Sequence, residues 1–156
     1  MTILTHIGVG AKLTMANKKA KGQSNTLLPS GEKKSTVASR TMIFHGSMIL
    51  IFLITHLQTF KFGPKYEATI SGVVVRDLHR LIVEVFSQPG YVAWYVVCLI
   101  LLGVHLKHGV GSTFQSLGIL TSKNEKLVKT MSAVYSAVVA VGFLAQPIYV
   151  FFFYNK

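Results

Sequence analysis

The sequence predicts an all-α fold, a transmembrane helical bundle of three full spans preceded by an N-terminal helix stub. Three observations carry that expectation. First, the chain of 156 residues is 51% hydrophobic and only 13% charged, whereas soluble domains carry about 25% charged residues. Second, the shortage of charge is concentrated in three long apolar runs, each near the roughly 20 residues that a helix needs to cross a bilayer. Third, basic residues flank these runs, as snorkelling side chains do at the ends of membrane helices.

Residues 1–15 read as the end of a helix. Leu4, Ile7, Ala11 and Leu13 supply an apolar set, and Lys12, Lys18, Lys19 and Lys21 follow it. Two or three turns cannot cross a bilayer. Residues 16–40 read as a polar linker, because Gln23, Ser24, Asn25, Pro29, Gly31, Glu32, Lys33 and Lys34 show no apolar period. Residues 41–156 form the three-helix transmembrane region. Its first span, about 41–60, holds no Lys, Arg, Asp or Glu and is bracketed by Arg40 and Lys61.

The connection 62–89 is expected to hold a short amphipathic helix over 71–86, since Val74, Leu78, Leu81, Ile82 and Val85 recur at helical spacing. Ser87, Gln88 and Pro89 form a start signal for the second span, about 90–111, with proline at the first turn. Tyr91, Trp94 and Tyr95 cluster where an aromatic belt meets the interface, and Lys107 can snorkel at the other end. A basic connection with Lys123, Lys126 and Lys129 leads into the third span, about 130–154, which Pro147 should kink or end.

The formal net charge is +11, from sixteen Lys and Arg against five Asp and Glu. These bases lie mostly between apolar runs, where they orient helices and meet anionic lipid, so the expected partner is membrane lipid and no nucleic acid. Seven lie in residues 1–40 and four in residues 107–130, against four in residues 61–90 and one at the C-terminus. The positive-inside rule then places the N-terminal linker and the 112–129 loop in the cytoplasm. The single cysteine, Cys98, reads as a small buried hydrophobe. Neither a secretory signal peptide nor an internal repeat is evident.

Ionisable residues within membrane spans are functional candidates by default. His45, His56 and His105 lie within spans, His6 lies in the stub, His108 sits one turn past His105, and His79 falls in the 62–89 connection. His56 lies about 16 Å beyond His45 along the first span, at 1.5 Å of rise per residue. Two layers of histidine at that separation suit electron transfer between two haems. Neutral imidazole is an ordinary axial ligand of haem iron. Gly46 and Ser47 beside His45, and Gly103 and Gly109 beside His105, offer small surface for close approach. The plainer reading of an intramembrane histidine is a hydrogen bond between helices, and this is the reading for His45. His79 and His108 read as interfacial.

The stretch LLGVHLKHGVGSTFQSLGI carries His-x-x-x-Gly from His105 to Gly109, then the aromatic Phe114, then Leu117 and Gly118. It resembles a haem-ligand helix of the cytochrome b membrane anchor of succinate dehydrogenase and fumarate reductase, in the single-polypeptide, five-helix, di-haem bacterial type. SRTMIFHGSMILIFLITHLQTFKF resembles a second ligand region of that family, ending in His56 and a short aromatic tail. LTHIGVGAKLTMANKKAKG resembles the end of its second helix and contains His6.

The three matches run in order along nearly the whole chain. The resemblance implies haem-iron ligands at His6, His56 and His105, with His6 and His105 sharing the haem nearer the cytoplasm. It implies an outer haem at His56, whose partner in the family comes from a first helix. This chain departs from the pattern by lacking that helix and most of the second, so an N-terminally truncated subunit is expected. The resemblance further implies haem b, quinone as substrate, and partners in an iron–sulfur subunit and a flavoprotein subunit, the latter holding the dicarboxylate chemistry. It places the chain as a multi-pass protein of the bacterial cytoplasmic membrane.

Other readings stay open at this point. One is a structural or assembly protein, or a non-functional fragment, with no cofactor. Another is a cytochrome using His45 and His105 as its ligand pair. A proton-coupled transporter is disfavoured by the absence of Asp and Glu from the three spans.

Overall fold

The computed structural model describes residues 3–23 and 37–154. In chain order these form α1 (Ile3–Gln23), α2 (Val37–Phe60), β1 (Glu67–Ile70), β2 (Val73–Arg76), α3 (Leu78–Phe86), α4 (Pro89–Ser116) and α5 (Glu125–Tyr149). A π-helical turn, Val150–Tyr154, ends the described chain. Three helical stretches are long and apolar enough to cross a membrane: Thr41–Phe60, Pro89–Ser116 and Glu125–Tyr154. The stub behaves differently from expectation. α1 continues past Met15 to Gln23, so residues 16–23 belong to a helix and not to the polar linker. Ala16, Lys18, Lys19, Ala20 and Lys21 are strong helix formers, and none of them interrupts the ladder. Residues 24–36 of the expected linker lie outside the described residues, and residues 37–40 belong to the first turn of α2 and not to the linker.

α4 is the central element. It packs most extensively on α5 and next on α2, while α1 lies more lightly against α2. The α4–α5 seam is built from small residues. Ser132, Ser136 and Ala140 recur every four residues on α5 and are buried. They face Gly103 and Gly111 of α4. A Cβ added at Gly103 would sit 3.0 Å from the Ala140 Cβ, and one at Gly111 would sit 3.7 Å from Ser132 Oγ. Small residues let two backbones approach closely, and within lipid that contact replaces a hydrophobic driving force. The seam serines satisfy themselves: Ser132 Oγ donates to the Val128 carbonyl at 2.8 Å and Ser136 Oγ to that of Ala133 at 3.0 Å.

α4 starts as its sequence signals, with Gln88 at the N-cap and Pro89 in the first turn. Its far end runs past residue 111 to Ser116. There Gly118, at φ +70°, turns the chain, with Ile119 N donating to Phe114 O at 3.1 Å and Gly118 N to Gln115 O at 3.1 Å. That pair of bonds is a Schellman stop, which favours glycine at the left-handed position. α5 likewise starts earlier than residue 130, at Glu125, whose carboxylate pairs with Lys129 one turn on. Pro147 lies inside α5, and the regular ladder gives way to the π turn three residues later. A proline lacks the N–H that the ladder needs and crowds the preceding turn, which accounts for the change of register.

The connection after α2 departs most from the sequence reading. A Cβ at Gly63 would collide with the Thr59 carbonyl oxygen, so the tight exit from α2 requires glycine there. The expected helix over 71–86 is split. Residues 67–76 form an antiparallel hairpin in which Glu67 pairs with Arg76 and Ile70 with Val73. Its two-residue turn holds Ser71 and Gly72, both at positive φ, which matches the twist that paired strands require. Only from Leu78 is the segment helical, and Asp77 caps it by accepting from Arg80 N at 2.9 Å. α3 turns Leu81, Val85 and Phe86 onto Val92 and Tyr95 of α4 and Val150 of the π turn, forming the best-buried cluster of the protein. This cluster closes the end of the bundle where α2 finishes and α4 begins.

Candidate functional site

The histidines fall into two groups, one at each end of the α2–α4 contact. α1, α2 and α4 build the first. His105 is two residues from Gly103, so it emerges on the side of α4 turned away from the α5 seam. There its ring lies 6.2 Å, centre to centre, from that of His6, with the ring planes at 83°. Gly46 of α2 lies beneath it: a Cβ added there would stand 3.5 Å from His105 Cε1. The small surface expected next to His105 therefore comes from the facing helix. Gly103 instead meets Ala140, and Gly109 faces open space.

His45 is also close to this group. Its side chain is 9% exposed, and its Nδ1 has no hydrogen-bond partner; the same is true of His105 Nδ1. The reading of His45 as a helix–helix hydrogen-bonding residue is not met at that atom. A buried polar nitrogen left unpaired costs about 1–3 kcal/mol. Two such atoms, on histidines within electrostatic reach of each other, mark a polar requirement that the protein atoms alone leave unfilled. His6 is exposed on its own helix, so its ring is held chiefly by the approach to His105.

The His6 and His105 rings are close enough that one metal centre could take a nitrogen from each, and 6.2 Å is equally the separation of an ordinary edge-on ring contact. No group of three or more His, Cys, Asp or Glu suited to a bare metal ion occurs among the described residues. A metal that arrives in a macrocycle would need only two such protein ligands.

His56 belongs to the second group. Its Nδ1 lies 3.1 Å from the Tyr95 hydroxyl, and its ring is flanked by Phe52 at 5.8 Å and Phe60 at 5.2 Å. Tyr95 is 5% exposed and stacks edge-on against Phe52 and Phe86 at 4.9 and 5.0 Å. If Nδ1–H donates to the tyrosine oxygen, Nε2 keeps its lone pair free for a metal. That is how hydrogen-bonded partners orient histidine ligands. Among the described residues no second imidazole contacts the His56 ring. His56 borders a cavity of about 460 Å³ between α2, α3, α4 and α5, with Phe86, Leu99, Phe143 and Gln146 among its walls. The volume is within the usual range for small-molecule sites, about 300–1,000 Å³.

Tyr95 is the candidate-site residue that the sequence reading missed. It was placed in an aromatic belt with Tyr91 and Trp94, yet only Tyr91 is exposed. Trp94 donates from Nε1 to Thr55 Oγ1 at 3.2 Å, so both Trp94 and Tyr95 tie α4 to α2 around His56. The available signal was spacing: Tyr95 shares a helical face with the buried Cys98 and Leu99, three and four residues on. His79 stays exposed and meets the ring of Tyr154 at 5.3 Å, away from both groups. No family model, curated protein or solved structure matches this chain.

Proposed function

We propose that this chain is the membrane anchor and haem b electron-transfer subunit of a succinate:quinone oxidoreductase, linking an iron–sulfur subunit to membrane quinone. The observation that carries the haem assignment is the apposition of His6 and His105 at 6.2 Å, with a buried, unpartnered Nδ1 on His105. The resemblance of three ordered segments carries the identity of the complex. The iron–sulfur and flavoprotein subunits dock, in this reading, on the cytoplasmic side, where the basic 112–129 loop lies.

The residues divide the work as follows. His6 and His105 hold the inner haem from α1 and α4. Gly46 keeps the α2 backbone low enough for the His105 ring to stand clear. His56, oriented by Tyr95, offers Nε2 toward the 460 Å³ cavity, for an outer haem or a quinone head. A haem held there would supply one-electron transfer, with α1, α2 and α4 around it. Dicarboxylate chemistry belongs to another subunit.

A reduced-minus-oxidised visible spectrum of the chain in membranes, with haem quantified per polypeptide, tests the reading. A b-type signal near one haem per chain is expected, lost in His105→Ala and in His6→Ala. Absence of haem from helical, membrane-inserted protein made under haem-replete conditions sinks the proposal and leaves a cofactor-free structural role. A second pairing, His45 with His105, is favoured by the unpartnered His45 Nδ1. Loss of the signal in His45→Ala but not in His6→Ala establishes that pair instead.

A further inference from the structure

The hairpin that follows α2 has a face with no role in the fold. Directly paired residues of an antiparallel ladder project to the same side. The pairs Ala68–Val75 and Ile70–Val73 therefore share one face, and Glu67–Arg76 and Thr69–Val74 share the other. The first face is wholly apolar, yet Ile70 is 63% and Val73 62% exposed. Three contacts tie the root of the hairpin together. Asp77 N donates to Tyr66 O at 2.8 Å, Arg76 Nη2 donates to Pro64 O at 3.3 Å, and the Arg80 guanidinium lies 4.2 Å over the Tyr66 ring.

We propose that this hairpin is a membrane-interface anchor whose Ala68–Ile70–Val73–Val75 face lies in the headgroup boundary of the bilayer that α2 and α4 cross. Three observations select lipid as the occupant. The hairpin is strung between the end of one membrane-crossing helix at Phe60 and the start of the next at Pro89, so its root stands at the bilayer surface. A four-residue strand extends about 13 Å at 3.3 Å per residue. Laid along the surface, the strands therefore stay in the layer of headgroups that flanks the hydrocarbon. The surroundings are also those of an interfacial element. Lys61 and Lys65 can meet anionic headgroups, and Tyr66 and the exposed Phe62 supply the amphipathic and apolar rings of the same zone. The inference rests on the membrane placement of α2 and α4 alone and is independent of haem or quinone.

The test uses the full chain in anionic lipid vesicles, with a fluorescent thiol label placed singly by Ile70→Cys, Val73→Cys, Glu67→Cys or Thr69→Cys. Cys98 is fully buried, and the labelled parent chain measures its background. Nitroxide lipids should quench the labels at positions 70 and 73 several-fold more than those at 67 and 69, with aqueous iodide showing the reverse order. Equal quenching by iodide at all four positions overturns the proposal, because both faces then stand in water. Shielding of positions 70 and 73 from both quenchers also overturns it, since protein then covers the face.

Discussion

Replacing Gly103 by alanine should expose how tightly α4 and α5 are held. The new methyl would stand 3.0 Å from the Ala140 Cβ, whereas carbon atoms prefer about 3.5–4.0 Å. The Ala140 side of the seam must then give by a few tenths of an ångström, and overpacking of this kind costs about 1–3 kcal/mol. Alanine also favours the helix by about 1 kcal/mol over glycine, so the single variant understates the strain. A double-mutant cycle with Ala140→Gly removes the propensity terms, because those add while the clash does not. A coupling of about 1–2 kcal/mol is expected, so that Ala140→Gly costs that much less in the Gly103→Ala background than in the parent chain. Reversible unfolding in mixed micelles, followed by helical circular dichroism, reads each corner. Gly109→Ala, where the added Cβ meets nothing within 4 Å, serves as control and should be neutral or slightly stabilising. A coupling within about 0.3 kcal/mol of zero would refute the seam as the close contact described.

Three further expectations can be checked together. Tyr95→Phe leaves His56 Nδ1 without its partner and should cost about 1–3 kcal/mol in the same unfolding assay. An unchanged midpoint would show that the bond contributes nothing. Gly72→Val forces a β-branched residue to φ +81°, and the left-handed region should then cost the hairpin about 1–2 kcal/mol, read as faster amide exchange over residues 67–76. The hydrogen bond to Glu84 raises the Tyr66 hydroxyl above its usual value of 10.0, aided by burial and the Glu84 charge and opposed by Arg80. Since the raised value favours the protonated phenol in the fold, that contribution is complete below pH 10 and is lost as pH climbs through the higher folded value. Ultraviolet titration should show the Tyr66 phenolate forming earlier in Glu84→Gln.

The spans were legible because their signal is additive. Twenty residues without a charge between Arg40 and Lys61 leave little else for residues 41–60 to be, whatever their packing. The hairpin was not, because Val73, Val74 and Val75 blend into the apolar spacing of Leu78, Leu81 and Ile82 and so extend an apparent helix backward. Local chemistry decided otherwise: Ser71 and Gly72 favour a two-residue turn, and Asp77 is the side chain that caps a helix. At the site, the sequence singled out the histidines by type and depth. It could not say that Gly46 and not Gly103 would meet His105, because that depends on which faces of α4 its two neighbours take. Tyr91 and Tyr95 lie four residues apart and so share nearly one helix face; what separates them is depth, since Tyr91 sits in the first turn of α4 and Tyr95 one turn further into the bundle.

The seam between α4 and α5 has a mechanical corollary. Contacts made by glycine, serine and alanine have no long side chains that can re-pack, so the two helices tilt together or not at all. α4 is 28 residues long, about 42 Å at 1.5 Å per residue, against a hydrocarbon layer of about 30 Å. A thinner or thicker bilayer is therefore met by tilting the pair as a rigid plank. A change in bilayer thickness is thus shared by both helices and not absorbed between them.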